Sequence, residues 1–434
     1  MAAARVRMVP VTGVSLAVQL FGGGLSALTN LYLARHLGPG NQGALQVLVT
    51  VPAIVIVMGN LGVHVAGAWF VARERYEANA VLTALLWWAV LLTAVLALPT
   101  WLLREQIRTV IFGGLDARLV WLSLGCLPFY MLSYYVADVL IASNRLAVYA
   151  ALRLMPLVIY GLFAVLLVGL EGLELLGATL AFVTGIIATG VFALVVVLVV
   201  TRGKLRPDRS VMRGALERGG TIHVGTVAQF LAFRLDILLV NALLGTAAAG
   251  LYGVAASLSQ LVWYIGRSVE SGILPRIARA SGDEAPDISA TALRMTAVAS
   301  ALAAAAIGAV SAPLFHRMLP EFVSALTALW ILLPAAVLSS MAMVAASDLR
   351  GRGRAGVVAV VNLGALALNV TLNLSLLPTM GFVGAAVAAL VTSVVQSVVL
   401  TQVVIAETGV TYRRILEPTA RDLQMLRAIS QQLW

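Results

Sequence analysis

The sequence predicts an all-α polytopic membrane protein of about twelve transmembrane helices, arranged as two pseudo-symmetric six-helix bundles. Three observations carry this. The 434 residues are 61% hydrophobic and only 11% charged, with a mean hydropathy of +0.98, whereas a soluble chain is about a quarter charged. The basic residues gather in short loops on one side of the apolar runs, and segments of the first half recur in the second.

Crossing about 30 Å of hydrocarbon takes about 20 residues of helix, and only helices or closed barrels satisfy their backbone groups there. Barrel strands alternate over about ten residues; the runs here are longer and rich in Ala, Leu and Val, so they predict helices. The expected spans are 10–34, 44–72, 80–103, 118–143, 148–170, 173–201, 221–244, 249–274, 290–314, 322–348, 356–378 and 382–406. The first has the basic flank of a signal peptide in Arg5 and Arg7. It runs to about Leu33 without a small-x-small cleavage site, so it reads as a retained helix.

Orientation follows from Lys and Arg. With the N-terminus in the cytoplasm, twenty of the 29 basic residues fall inside, five (Arg35, Arg104, Arg108, Arg118, Arg317) outside, and four (Arg153, Arg234, Arg267, Arg294) within spans. This places both termini of a multi-pass membrane protein in the cytoplasm. The formal charge of +10 is then explained by topology and the anionic membrane surface, with no nucleic acid partner.

Gly38-Pro-Gly-Asn-Gln-Gly43 lines up with Gly245-Thr-Ala-Ala-Ala-Gly250, a shift of 207, and the same shift sets Leu176-Gly-Ala-Thr-Leu-Ala181 on Val383-Gly-Ala-Ala-Val-Ala388. Six spans per repeat is an even number, so both halves enter the membrane in the same sense, with a substrate path between them. The expected organisation is an N-terminal bundle over 1–201, a polar cytoplasmic connector over 202–220, a C-terminal bundle over 221–406 and a cytoplasmic tail over 407–434. In the tail, Pro418 opens an amphipathic segment with Leu423, Leu426, Ile429 and Leu433 near one face, placing Arg413, Arg414, Arg421 and Arg427 by anionic lipid.

Ionisable side chains inside a bilayer mark candidate sites, because each costs roughly 2.5–3.5 kcal/mol on insertion scales. Arg153, Arg294, Asp138, Asp348 and Glu270 lie toward the cytoplasmic ends of their spans, where long side chains reach water; Arg267 and Glu270, three apart, can pair with each other. Arg234 and Asp236 differ. They lie about 20 Å into their helix, near the midplane, and point about 200° apart, so each needs its own partner or water. At similar depth other helices offer Gln19, Asn60, His64, Gln229, Gln260, Asn369 and Gln396. Singly these are interhelical contacts worth a kilocalorie or less; together with Arg234 and Asp236 they are the candidate lining of a central cavity. Hydroxyl-rich cargo needs such partners, and a cationic centre suits phosphate. A lone histidine such as His64 is more often packed than functional. Gly22, Gly23 and Gly24, adjacent within the first span, weaken the helix, and form either a hinge or a point of close helix approach.

No catalytic or metal-binding constellation is present. Gly351-Arg-Gly-Arg-Ala-Gly356 fits a dinucleotide pattern but follows a membrane helix, not a strand. Asn369-Val-Thr371 and Asn373-Leu-Ser375 fit glycosylation sequons but lie within the bilayer, and Cys126 reads as a small hydrophobe. No cofactor is implied, and the coupling ion (H⁺, Na⁺ or Cl⁻) is open.

Leu33-Ala-Arg-His-Leu-Gly-Pro-Gly-Asn-Gln-Gly43, Arg234-Leu-Asp236, Leu244-Gly-Thr-Ala-Ala-Ala-Gly-Leu-Tyr252, and Asn362 to Ala388 with Asn369, Asn373 and Pro378-Thr-Met-Gly-Phe-Val-Gly-Ala-Ala386 resemble the MOP exporter superfamily, on its branch of polysaccharide transporters and O-antigen flippases (Wzx-type). The resemblance covers nearly the whole chain. It implies a V-shaped, MATE-like pair of bundles and alternating access. It also implies flipping of an undecaprenyl-pyrophosphate-linked oligosaccharide whose pyrophosphate meets cavity arginines such as Arg234. Polysaccharide polymerase or assembly proteins are implied partners, with the transporter acting as a monomer. Lipid II flippases of the superfamily typically have fourteen helices and basic residues in the first two, where this chain offers Gln19, Asn60 and His64. A cation-coupled multidrug exporter is the alternative, and it requires an acidic cluster where the first bundle has only Asp138. A membrane polymerase or ligase needs a large external loop, and the longest here is about 104–117.

Overall fold

A computed structural model describes residues 2–277, 284–411, 413 and 414. The expected tail helix from Pro418 to Trp434 lies outside the described residues. Those residues form fifteen α-helices and no strand. In order these are α1 (Ala2–Gly59), α2 (Val63–Ala72), α3 (Ala78–Leu102), α4 (Arg104–Gln106), α5 (Ala117–Gly125), α6 (Leu127–Ala142), α7 (Leu146–Ala164) and α8 (Glu174–Thr201). The second half holds α9 (Arg209–Ala232), α10 (Leu235–Leu244), α11 (Thr246–Ile277), α12 (Glu284–Met318), α13 (Ala325–Gly351), α14 (Ala355–Met380) and α15 (Phe382–Thr408).

Ten of the helical stretches are long and apolar enough to cross a membrane, and the bent pair His223–Ala232 and Leu235–Leu244 makes an eleventh. The longest, Ala17–Gly59, is divided at Gly38, whose backbone (φ 67, ψ 173) is not helical. Dividing it there brings the count to the twelve expected. Leu, Val, Phe and Trp side chains such as Phe21, Leu28, Leu98, Trp101 and Val199 are exposed on the outside of the bundles, as a hydrocarbon solvent requires.

The repeat is visible in the backbone. Gly245, 207 residues after Gly38, turns the chain with nearly the same geometry (φ 85, ψ 175). Five residues beyond each corner the two halves meet back to back. A Cβ on Gly43 would overlap the Thr246 carbonyl oxygen and lie 2.6 Å from Gly250 N; a Cβ on Gly250 would overlap the Pro39 carbonyl oxygen and lie 2.9 Å from Gly43 N. Along the same seam Asn30 donates to Ser257 Oγ at 3.2 Å. Each bundle has its own apolar core: Phe70, Trp88, Tyr135 and Tyr149 in the first, Tyr252, Phe315, Phe322 and Leu377 in the second.

Two expected spans are interrupted. The span 44–72 breaks between α1 and α2, where Asn60 Oδ1 accepts a hydrogen bond from Gly62 N at 2.8 Å and Gly62 takes φ 68. The span 221–244 breaks at Phe233 and Arg234, with a 45° bend. Neither break contains a proline; local polar side chains and tertiary contacts impose them. The connector 202–220 is helical from Arg209. Asp208 caps that helix through Ser210 N at 2.8 Å and Ser210 Oγ at 2.7 Å, and these bonds hold its carboxyl below the usual carboxylate range. Val211 and Ala215 are buried in the first bundle's core, so α9 is anchored there before entering the second. Of the tail arginines, Arg414 pairs with Asp287 at 2.5 Å and its carbonyl accepts from Arg294 at 2.7 Å, so the start of the tail is held on α12.

Gly62 makes one prediction. A Cβ there would lie 2.5 Å from Gly219 O, and the left-handed backbone adds about 1–2 kcal/mol for any L side chain. Gly62→Ala is expected to lower the thermal unfolding midpoint of the purified protein by several degrees. An unchanged midpoint would show that the α1–α2 break relaxes freely.

Candidate functional site

The break in the second bundle builds its polar centre. Phe233 N and Arg234 N turn back to the carbonyls of Phe230 and Leu231, ending α9 and restarting the chain as α10. Asp236 falls in the first turn of α10, where backbone N–H groups favour negative charge. It is buried, accepting from Ile237 N at 2.8 Å and from the Tyr252 hydroxyl. Arg234 takes a different partner, donating to Gln260 Oε1 at 3.0 Å. The two charges therefore do not pair; Arg234 stands at the helix break, outside α10, and Asp236 within its first turn.

Asp236, Gln260, Asn369 and Gln396 line one cavity of about 40 Å³, together with Tyr252, Trp263 and Thr392; that volume has room for roughly two or three waters. Gln396 Nε2 donates to Asn362 Oδ1 at 2.9 Å and Asn373 Nδ2 to Asn369 Oδ1 at 3.1 Å. The remaining expected residues lie elsewhere. Gln229 Oε1 is 3.5 Å from Arg350 Nη2. Glu270 pairs with that same arginine at 2.9 Å and not with Arg267, which is exposed; spacing on one helix placed Glu270 and Arg267 together, but α13 supplies the nearer cation. Gln19 is partly exposed on α1. Asn60 is committed to the α1–α2 break, its carbonyl also accepting from the Tyr135 hydroxyl at 3.3 Å.

His64 sits behind the first bundle's wall. Its ring is parallel to Tyr135 (3°, centroids 5.8 Å apart) and tilted on Tyr134, and its Nε2 is 3.9 Å from Asp138 Oδ2. Arg153 reaches the other oxygen of Asp138 at 3.4 Å and lies over the Tyr134 ring at 5.5 Å. Asp138 and Arg153, expected near the cytoplasmic ends of their spans, form a pair bridging α6 and α7.

Arg153, Arg234 and Arg267 lie within electrostatic reach of Tyr130, Tyr134 and Tyr264, with Arg153 over the Tyr134 ring. Tyr130 lies in the electrostatic field of both Arg153 and Arg234, Tyr134 in that of Asp138, Arg153 and Arg267, and Arg234 in that of Asp236, Tyr264 and Arg267. Arg153 comes from α7, Arg234 from the α9–α10 break and Arg267 from α11, so both bundles contribute charge. Sequence reasoning singled out Arg234 alone; the available signal for the others was their presence within spans and the i, i+4 spacing of Tyr130 and Tyr134. The glycine triplet serves the same region. A Cβ on Gly23 would overlap the Tyr264 ring, while α1 continues as helix through Gly22, Gly23 and Gly24. In this conformation the triplet admits a neighbour without bending. Among the described residues no group of three or more His, Cys, Asp or Glu is placed to hold a metal.

A family model described as polysaccharide biosynthesis protein matches residues 11–281, and the MatE model matches residues 222–374. No curated protein sequence matches the chain. The fold is similar to that of the lipid II flippase MurJ in an inward closed conformation (TM-score 0.77, 13% identity, covering 96% of this chain and 92% of that one). It is similar also to an inward-facing multidrug resistance MATE family transporter of the MOP superfamily (TM-score 0.74, 14% identity, 91% and 98% covered). A third similar structure is a MOP superfamily transporter from Pyrococcus furiosus (TM-score 0.56, 13% identity, 92% and 96% covered). With that first model spanning more than half its length, the chain belongs to the polysaccharide biosynthesis protein family, and its two-bundle helical fold is the one seen in these MOP superfamily transporters.

Proposed function

We propose that the protein flips a polyprenyl-pyrophosphate-linked oligosaccharide across the cytoplasmic membrane by alternating access, in surface polysaccharide biosynthesis, with both termini cytoplasmic. The observation that carries this is the arginine and tyrosine cluster between the bundles, in a family named for polysaccharide biosynthesis. A pyrophosphate needs delocalised cations that donate in a planar fork, and sugars stack on aromatic rings and bond to amides. Arg153, Arg234 and Arg267 supply the first; Tyr130, Tyr134, Tyr264, Gln260 and Gln19 supply the second. The glycan is presented by, and passed to, membrane assembly enzymes, with the transporter acting as a monomer.

A cation-coupled multidrug antiporter draws support from the MatE match over 222–374 and from buried Asp236. It needs carboxylates that exchange a proton or Na⁺ for a cationic drug. In the first bundle Asp138 is flanked by Arg153 and His64, which argues against that role. Reconstitution separates the two. Proteoliposomes holding the full chain are expected to move a fluorescent polyprenyl-pyrophosphate oligosaccharide between leaflets, read by its loss of protection from an external quencher, and to leave ethidium uptake unchanged. The opposite pattern would establish the exporter.

A further inference from the structure

We propose that His64, Asp138 and Arg153 form a proton-binding site whose occupancy sets how much positive charge Arg153 presents to an anion. The inference rests on the flippase reading only in taking the cargo to be anionic.

Asp138 stands between two basic groups and is closed on neither. Arg153 Nη2 lies 3.4 Å from Oδ1 and His64 Nε2 lies 3.9 Å from Oδ2, both longer than the roughly 2.7–2.9 Å of a charge-assisted hydrogen bond. The two differ in kind and in setting. The guanidinium is always charged, whereas the imidazole is charged only when it holds a second proton. The Arg153 side chain is 37% accessible and that of His64 only 5%, so Arg153 is open to an anion and His64 is not. Tyr135 and Tyr134 fix the ring's plane, and His64 Nδ1 has no hydrogen-bond partner among the described residues.

The groups facing His64 are few. From α6 they are Asp138, Tyr134 and Tyr135; from α7, Arg153, with Tyr149 beside it; from α9, His223, whose Nε2 is bonded to the Met58 carbonyl at 3.0 Å. Farther along α9 are Arg218, over the Trp69 ring, and Glu217, paired with Arg213. Helix α3, also packed on α2, has no ionisable side chain over 78–102.

A proton taken from water onto the ring, with no other bond made or broken, leaves an imidazolium beside Asp138. The carboxylate then has two cations to answer and closes on the buried one. Arg153, losing its counter-ion, is left for an anion next to Tyr130, the residue that also feels Arg234. By linkage, an anion bound at Arg153 raises the proton affinity of His64 to the same degree. Proton binding and cargo binding thereby become coupled.

The test uses the full chain in nanodiscs with sulfate as probe, since sulfate stays divalent from pH 5.5 to pH 8. Wild-type affinity is expected to be about tenfold tighter at pH 5.5 than at pH 8, within the usual span of coupling between sites. His64→Gln should hold the weaker affinity at both pH values, Asp138→Asn the tighter affinity at both, and His223→Gln should keep the wild-type dependence. Wild-type binding that is flat with pH, or a full pH dependence retained in His64→Gln, overturns the inference and leaves the flippase reading standing. Absence of sulfate binding in the wild type and in Asp138→Asn overturns both.

Discussion

Arg234→Ala is expected to abolish export of the surface polymer while the protein accumulates in the membrane at wild-type level. A charge-assisted hydrogen bond contributes roughly 1.5–3 kcal/mol, so loss of this guanidinium weakens anion binding by about ten- to 150-fold. The backbone at this position, φ −132 and ψ −20, suits alanine, so the α9–α10 break survives the change. A structural role for Arg234 would act through its bond to Gln260, and Gln260→Ala removes that bond while keeping the charge. Polymer on the cell surface is the readout, with membrane protein quantified alongside. If charge is the function, Gln260→Ala, which loses one glycan-binding amide but no charge, exports less than the parent and more than Arg234→Ala, and Arg234→Lys is intermediate, because an ammonium gives a point charge without the planar fork. Normal polymer in Arg234→Ala would remove this residue from the substrate site.

The helical order of the chain was legible because each span must satisfy its own backbone and bury about twenty apolar residues in lipid, which leaves long, unmistakable runs. The repeat was legible because its corners demand glycine: Gly38 and Gly245 turn alike at φ 67 and 85, and Gly43 and Gly250 meet where no Cβ fits. Side-chain partners were less so. Helical spacing gives the face on which a residue lies, not the helix that packs opposite that face. It kept Arg234 and Asp236 apart, though through a continuous helix that the break at Arg234 replaces, and nothing in one sequence tied Asp236 to Tyr252 sixteen residues on, or Glu270 to Arg350 across eighty. The three-arginine centre was missed for the same reason, since Arg153, Arg234 and Arg267 meet only through the packing of two bundles. The breaks at Asn60–Gly62 and Phe233–Arg234 were hidden by hydropathy, which does not change across them.

Gly43→Leu is expected to have the second large effect, and for a steric reason. Gly43 and Gly250 close the end of the bundles that carries the corners at Gly38 and Gly245, with backbone meeting backbone. A leucine cannot enter that contact, and because Thr246 and Pro39 meet it with main-chain oxygens, no rotamer change relieves the overlap. Under alternating access the same contact must part once in each cycle, so the variant keeps one of its two states and loses the other. Reversing a 99:1 population takes about 5.5 kcal/mol, and a buried backbone clash of this kind is of that order. Spin labels at Glu171→Cys and Met318→Cys, exposed positions on the two bundles, should then report a longer distance in Gly43→Leu than in the parent, with flipping lost. Gly250→Leu should do the same, since its pseudo-symmetric partner makes the same contact from the other side. A variant that flips cargo at the normal rate with an unchanged label distance would mean that the seam opens elsewhere and that the glycines serve packing alone. Loss of flipping with the distance unchanged would instead place the defect in the bundles' interiors. Only the longer distance joined to lost transport identifies the Gly43–Gly250 crossing as the contact that separates during the cycle.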